Sequence, residues 1–193
     1  MLFAIACMAG FPSFSQSFMH GVGTIIFVDK AADSDAGVIG GLTYSPRFNF
    51  LEKDNLSVSI GVPLSVGVSG SYSANYGSYS GESNSLSFMF DAPLMINLNL
   101  GCGSTKESDR RFGFFIGAGY GYHYGTSSES FTDFNGYEYS DNVQSSTTGP
   151  AGNLGVRFGV GRSTHNIEVK LAYMKGLNDT KPNIFSLGGL FNF

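Results

Sequence analysis

Eight stretches of the chain alternate apolar and polar residues with a period of two. The clearest is Leu56–Ser69, in which Leu56, Val58, Ile60, Val62, Leu64, Val66 and Val68 oppose Ser57, Ser59, Gly61, Pro63, Ser65, Gly67 and Ser69 without exception. Such a period sets the two groups on opposite faces of an extended strand. The other stretches are Met19–Val28, Val38–Phe50, Leu86–Leu100, Phe112–Tyr124, residues 153–160, Asn166–Tyr173 and Asn183–Phe193, each bounded by Gly, Ser, Asn, Asp or Pro. The last one ends the chain inside a strand, with Phe185, Leu187, Gly189, Phe191 and Phe193 on one face. An uncovered apolar edge would invite aggregation, and closing the sheet into a barrel removes it. The pattern therefore predicts an all-β fold: an eight-stranded antiparallel up-and-down barrel over residues 17–193.

Alternation does not say which face is inside, and a soluble, lipocalin-like barrel carrying a small molecule would also show it. Volume decides between the two. An eight-stranded lumen has room only for its own side chains, and the apolar faces carry too many large ones to fit. The faces rich in Gly, Ser and Asn suit a crowded interior, so the apolar faces are expected to meet lipid. Thirteen residues at about 3.3 Å each, tilted by about 40°, rise roughly 33 Å, enough for an apolar band and aromatic rims. With no Trp in the chain, the rims fall to Tyr44, Phe48, Phe50, Phe112, Tyr122, Tyr124, Tyr173 and Phe193.

The connections give an independent test, because transmembrane barrels of outer membranes keep periplasmic turns short and outer loops long. From a periplasmic start, the outer loops are residues 29–37, 70–85, 125–146 and 175–182, and the periplasmic turns 51–54, 101–111 and 162–165. The two longest connections both fall outside, and an even strand count returns the C-terminus to the periplasm. In this pattern the chain resembles the small eight-stranded outer-membrane β-barrels of Gram-negative bacteria, a group that includes adhesin-like and membrane-anchor proteins. The terminal strand, with Phe191 and Phe193, also resembles the C-terminal signal read by the barrel-assembly machinery. The resemblance implies a porin-like transmembrane architecture whose partners are outer-membrane lipid, that machinery and an extracellular ligand or surface.

Composition adds to the picture at the ends. Charged residues make up 13% of the 193 and the net charge is −4, with no basic cluster to neutralise phosphates, so nucleic acid is not an expected partner. Residues 1–16 are apolar and uncharged, with Ser13 and Ser15 spaced as a signal-peptidase site requires, and read as a signal peptide whose basic start lies upstream. Cys7 falls in that segment and Cys102 in a turn, which leaves one thiol and no internal disulfide in the mature chain.

Candidate chemistry is sparse. Arg47, Asp91, Arg157, Glu168 and Lys170 fall on inward faces and are expected to pair across the lumen, holding the barrel shut; an ion path is the alternative. His123, followed by Ser127, Ser128 and Glu129, supplies the residue types of a lipid-modifying hydrolase, although no family motif accompanies them. His20 and His165 read as surface residues at the periplasmic end. Neither these nor the loop acids Glu129, Asp133, Glu138 and Asp141 have metal-ligand spacing, and no cofactor is expected. The long loops interleave Tyr72, Tyr76, Tyr79, Phe131, Phe134, Tyr137 and Tyr139 with Ser, Gly and Asn, the composition of adaptable binding loops. The favoured reading is a non-enzymatic barrel with a closed lumen and a structural or surface-interaction role.

Overall fold

The computed structural model describes residues 16–30, 37–75, 81–132, 137–161, 165–178 and 181–193. The sequence forms ten strand segments: β1 (Ser17–Lys30), β2 (Gly37–Lys53), β3 (Leu56–Gly61), β4 (Leu64–Asn75), β5 (Gly81–Asp91), β6 (Leu94–Gly101), β7 (Phe112–Thr132), β8 (Glu138–Gly159), β9 (Asn166–Lys175) and β10 (Asn183–Asn192). All pairings are antiparallel. From β1 the ring runs through β10, β9, β8 and β7, then through β5 with β6 and β4 with β3, and returns by β2 to β1. Since β3 with β4, and β5 with β6, are halves of one strand each, eight strands close the barrel. The signal-peptide reading of residues 1–16 lies outside the described residues apart from Gln16.

The interruptions that split the third and fourth predicted strands have a chemical cause. Pro63 and Pro93 lack the amide proton that a central ladder needs. The register is nevertheless unbroken: Tyr44 faces Leu64 and Arg47 faces Gly61 in the same frame, as Ser65–Asp91 and Gly61–Met95 do. That frame sets Pro63 directly opposite Pro93. The flanking amides still bond, Val62 to the Pro46 carbonyl at 3.3 Å and Ala92 to the Tyr122 carbonyl at 2.9 Å.

Faces divide as the alternation predicts. Leu42, Val68, Leu86, Ile96, Ile116, Leu154 and Leu171 are exposed around the outside, whereas Ser57, Ser59, Asn49, Asn99 and Asn166 are wholly buried inside. One correction concerns β2, which continues to Lys53 through a bulge between Asn49 and Leu51. The extra residue changes the phase, so Leu51 faces out and Glu52 faces in, buried.

A larger correction concerns the long connections. Residues 70–85 and 125–146 are not loops for most of their length: β4 stays paired with β5 to Asn75–Gly81, and β7 with β8 to Thr132–Glu138. Pairing between β5 and β7 also continues to Glu82–Thr132. Meanwhile β2 leaves β4 at Gly40–Val68, and β9 leaves β8 at Ala151–Met174. Four strands thus continue past the barrel as an open sheet. Ser, Thr, Asn and Gly dominate there, so the run carries none of the apolar alternation that marks a barrel strand.

Inside, the side chains sort by level. Near the protruding sheet, Ile25, Phe27, Met89, Met174 and Ile184 form an apolar cluster, with Ile39 and Ala151 against it. At the opposite end lie buried polar and charged groups. Between them is a cavity of about 30 Å³ lined by Pro63, Pro93, Asp91, Asn153 and Lys170 among others.

Candidate functional site

The inward charges are placed by alternate positions on neighbouring strands. Arg157 on β8 faces Glu168 on β9 in the ladder, and its Nε donates to Glu168 Oε2 at 2.7 Å. Arg47 reaches the same oxygen at 3.3 Å from β2, and Asn192 donates to it at 3.1 Å. One carboxylate therefore serves two guanidiniums, the arrangement that makes burial of charge tolerable. Arg157 also donates to Asn99 at 3.0 Å and lies 4.3 Å over the Phe115 ring. Lys170, two residues along from Glu168, is buried and coupled electrostatically to Glu168 and Asp91.

The turn after β6 completes this cluster, and no sequence pattern disclosed it. Residues 102–105 fold inward, leaving Cys102, Ser104 and Thr105 buried. The Gly103 carbonyl accepts from Arg47 at 3.1 Å and from Arg157 at 3.4 Å, while Asn49 donates to the Ser104 carbonyl at 3.0 Å. Gly101 and Gly103 have φ of 74° and 67°, conformations that glycine adopts without steric penalty. A Cβ at Gly103 would stand 2.7 Å from Asn166 Nδ2 and 3.2 Å from Arg157 Cδ. The cues available were the Gly-Cys-Gly triplet and the short polar side chains after it. Burial pushes the Cys102 thiol up from its ordinary value, an effect that Arg157 and Arg47 oppose. Glu52 was missed for another reason, the bulge that reverses its face; it accepts a hydrogen bond from Ser17.

Asp91 does not join the arginine cluster. It faces His123 in the ladder and contacts its Nδ1 at 3.3 Å. This gives His123 the orienting carboxylate of a hydrolytic dyad, but the serines that follow are committed elsewhere. Ser127 accepts from Ser87 at 3.1 Å, and Ser128, on the opposite face of β7, is bonded to Asn142. His123 itself is buried against Phe27.

Of the aromatic candidates on the long connections, Tyr137 and Tyr139 are 66% and 61% exposed, at the far end of β8. Tyr72 and Phe131 fall within β4 and β7, and Tyr76, Tyr79 and Phe134 lie outside the described residues. Glu129 and Asp141 face one another directly. No group of three metal-type side chains occurs among the described residues. At the other end of the barrel, Phe191 and Phe193 are exposed on its outer face. Phe193 exchanges backbone bonds with His20 at 2.9 and 3.3 Å, and its ring lies 4.3 Å from the imidazole.

No family model and no curated protein matches the sequence. Among solved structures, the attachment invasion locus protein Ail of Yersinia pestis is similar at 13% identity and a TM-score of 0.47, over 93% of this chain and 99% of that one. The outer-membrane protein OprG of Pseudomonas aeruginosa is similar at 13% identity and a TM-score of 0.44, over 93% and 96%. Neisserial surface protein A is similar at 10% identity and a TM-score of 0.43, over 92% and 97%. With its closed ring of eight antiparallel strands, apolar outside and polar within, the chain has the fold of the small eight-stranded outer-membrane β-barrels.

Proposed function

We propose that this protein is a non-enzymatic barrel of a bacterial outer membrane, closed to bulk water, that meets other surfaces through its protruding sheet. The observation that carries the proposal is the length of β7, 21 residues. At about 3.3 Å per residue and a tilt of about 40° it rises roughly 50 Å, about twice the height of a lipid-facing band. The excess is ordered strand rather than loop, and it ends near exposed Tyr137 and Tyr139. Among the described residues no strand pairs with the outer edge of β4 beyond Val68 or with the outer edge of β8 before Ala151, although Leu177 and Asn178 bond the Thr148 and Ser146 carbonyls at 3.0 and 3.3 Å; the free stretches of such edges are templates for an added strand. The long connections then lie outside the cell and both ends of the mature chain in the periplasm, with the terminal strand offered to the barrel-assembly machinery.

Closure of the lumen is supported at two levels: the arginine cluster with its inserted turn, and the apolar group of Phe27, Met89 and Ile184. A hydrophobic constriction resists wetting. The protein reconstituted in planar bilayers is expected to be silent, and stepwise conductance would refute closure. For the surface role, cells producing the wild type are compared with cells producing Tyr137→Ser/Tyr139→Ser for retention on an epithelial monolayer. Lower retention of the variant is expected, and equal retention at equal surface amounts sinks the reading.

A further inference from the structure

The chain has 11 Lys and Arg residues, and their placement singles out one sector of the rim. Arg47, Arg157 and Lys170 are buried inside, and Lys53 at the end of β2, with Lys106, Arg110 and Arg111 between β6 and β7, lie at the end that carries the termini. Lys30, Lys175 and Lys181 are the cations at the opposite end among the described residues, and all three sit together. Lys30 faces Asn183 across β1 and β10, and Asn183 faces Lys175 across β10 and β9, so Lys30, Asn183 and Lys175 form one row on the outward face, with Lys181 two residues before Asn183. Lys175 is held in place, donating to Asn183 Oδ1 at 2.9 Å and to the Lys181 carbonyl at 3.4 Å. Tyr173 donates to the same Asn183 oxygen at 2.9 Å. An ammonium has three protons, so Lys175 keeps one for another acceptor.

The wall directly beneath this row is concave. A depression of about 520 Å³ is lined by Val28, Tyr173 and Phe185 in the next row, and by Ile26, Leu171 and Leu187 in the row below. Its cause is Gly152, which stands beside Tyr173 in the ladder with no side chain to fill the wall; a Cβ there would find only the Gly117 carbonyl, 3.7 Å away. The volume is in the range of small-molecule sites, about 300–1,000 Å³. Cations at the membrane surface over an apolar groove in the membrane match an amphiphile with a phosphorylated head and acyl chains.

We propose that this sector binds a phosphorylated, multiply acylated glycolipid of the outer leaflet, with phosphate on Lys30, Lys175 and Lys181 and one acyl chain in the groove over Gly152. The assignment to the outer leaflet rests on the orientation given under the proposed function. Charge complementarity selects this occupant over a second copy of the chain, which would bring the same three cations against themselves.

The test is native mass spectrometry of the protein folded in dodecyl maltoside and titrated with diphosphorylated hexa-acyl lipid A. The dephosphorylated lipid and inorganic phosphate serve as comparators, and heat-modifiable mobility confirms that each variant is folded. Saturable 1:1 binding is expected, weakened at least about tenfold in Lys30→Gln/Lys175→Gln/Lys181→Gln and in Gly152→Leu. Unchanged affinity in the triple variant overturns the proposal, as does equal affinity for the dephosphorylated lipid. Displacement by inorganic phosphate at the lipid's own concentration would identify a free-phosphate site and also overturn it. Orientation is read separately, by labelling Ser130→Cys on living cells with a membrane-impermeant maleimide. Absence of labelling defeats the orientation and leaves binding in detergent intact, whereas labelling without lipid binding defeats this inference alone.

Discussion

Glu168→Gln isolates the charge at the centre of the lumen, since glutamine keeps the volume and can still accept from Asn192. What is lost is the negative charge beside Arg157 at 2.7 Å and Arg47 at 3.3 Å. Removing one partner of a buried ion pair costs about 3–5 kcal/mol, because the other charge stays buried without compensation. Two guanidiniums are affected here, yet each keeps other acceptors: Gly103 for both, and Asn99 for Arg157. The loss is therefore placed at about 4 kcal/mol rather than twice that. With a urea slope of about 2 kcal/mol/M, the unfolding midpoint of the variant in lipid or detergent falls by about 2 M. Tyrosine fluorescence and heat-modifiable mobility report the transition. Adding Arg47→Met removes one uncompensated cation and is expected to restore about half the loss, which a double-mutant cycle quantifies. A midpoint within about 0.3 M of wild type for Glu168→Gln would refute the reasoning, since a solvated interior would then be screening the pair.

Four further outcomes follow from the turns and the chain end. In the chain from residue 17 onward Cys102 is the one thiol, and because burial raises its pKa the folded protein at pH 8 holds less thiolate than an exposed cysteine would; maleimide labelling is expected to be slow until urea unfolds the barrel, and equal rates would show the turn to be open. Gly103→Val forces a β-branched residue to a φ of 67° against Asn166 and Arg157 and is expected to cost more than about 2 kcal/mol. Gly161→Ala, at a φ of 69° with open space around it, costs about 1 kcal/mol on the same unfolding assay, and equal losses would deny the packing part of the argument. Deleting Phe193 removes both bonds to His20 and is expected to lower the folded fraction recovered in outer membranes, measured as the heat-modifiable band.

The barrel was legible because its strands obey a two-residue period where one face must meet lipid and the other a crowded lumen. Arg157 and Glu168 could be placed inside from parity alone, and strand adjacency then made them partners. Parity failed where it was broken or where hydropathy went silent. The bulge after Asn49 reversed Glu52, an event that no single residue type announces. The protruding halves of β4, β5, β7 and β8 escaped because they meet water on both faces, so Ser127 and Ser128 differ in direction but not in polarity. The inserted turn was hidden for a third reason: a loop that enters a lumen is fixed by arginines from β2 and β8, which are distant in sequence. Asp91 and His123 each have inward parity on their own strands, but their pairing depends on the register of β5 against β7, which parity does not supply.

The backbone exchange between Phe193 and His20 sets the first and last strands side by side, so the two ends of the barrel meet three residues past Ser17. Topologically the chain is almost a circle that happens to be cut there. A linker of a few residues from Phe193 to Ser17, with new ends opened between Thr132 and Tyr137, would preserve every ladder pair described. In such a permutant the protein would be threaded into the membrane from a different starting strand, which separates what the finished barrel requires from what its order of synthesis requires.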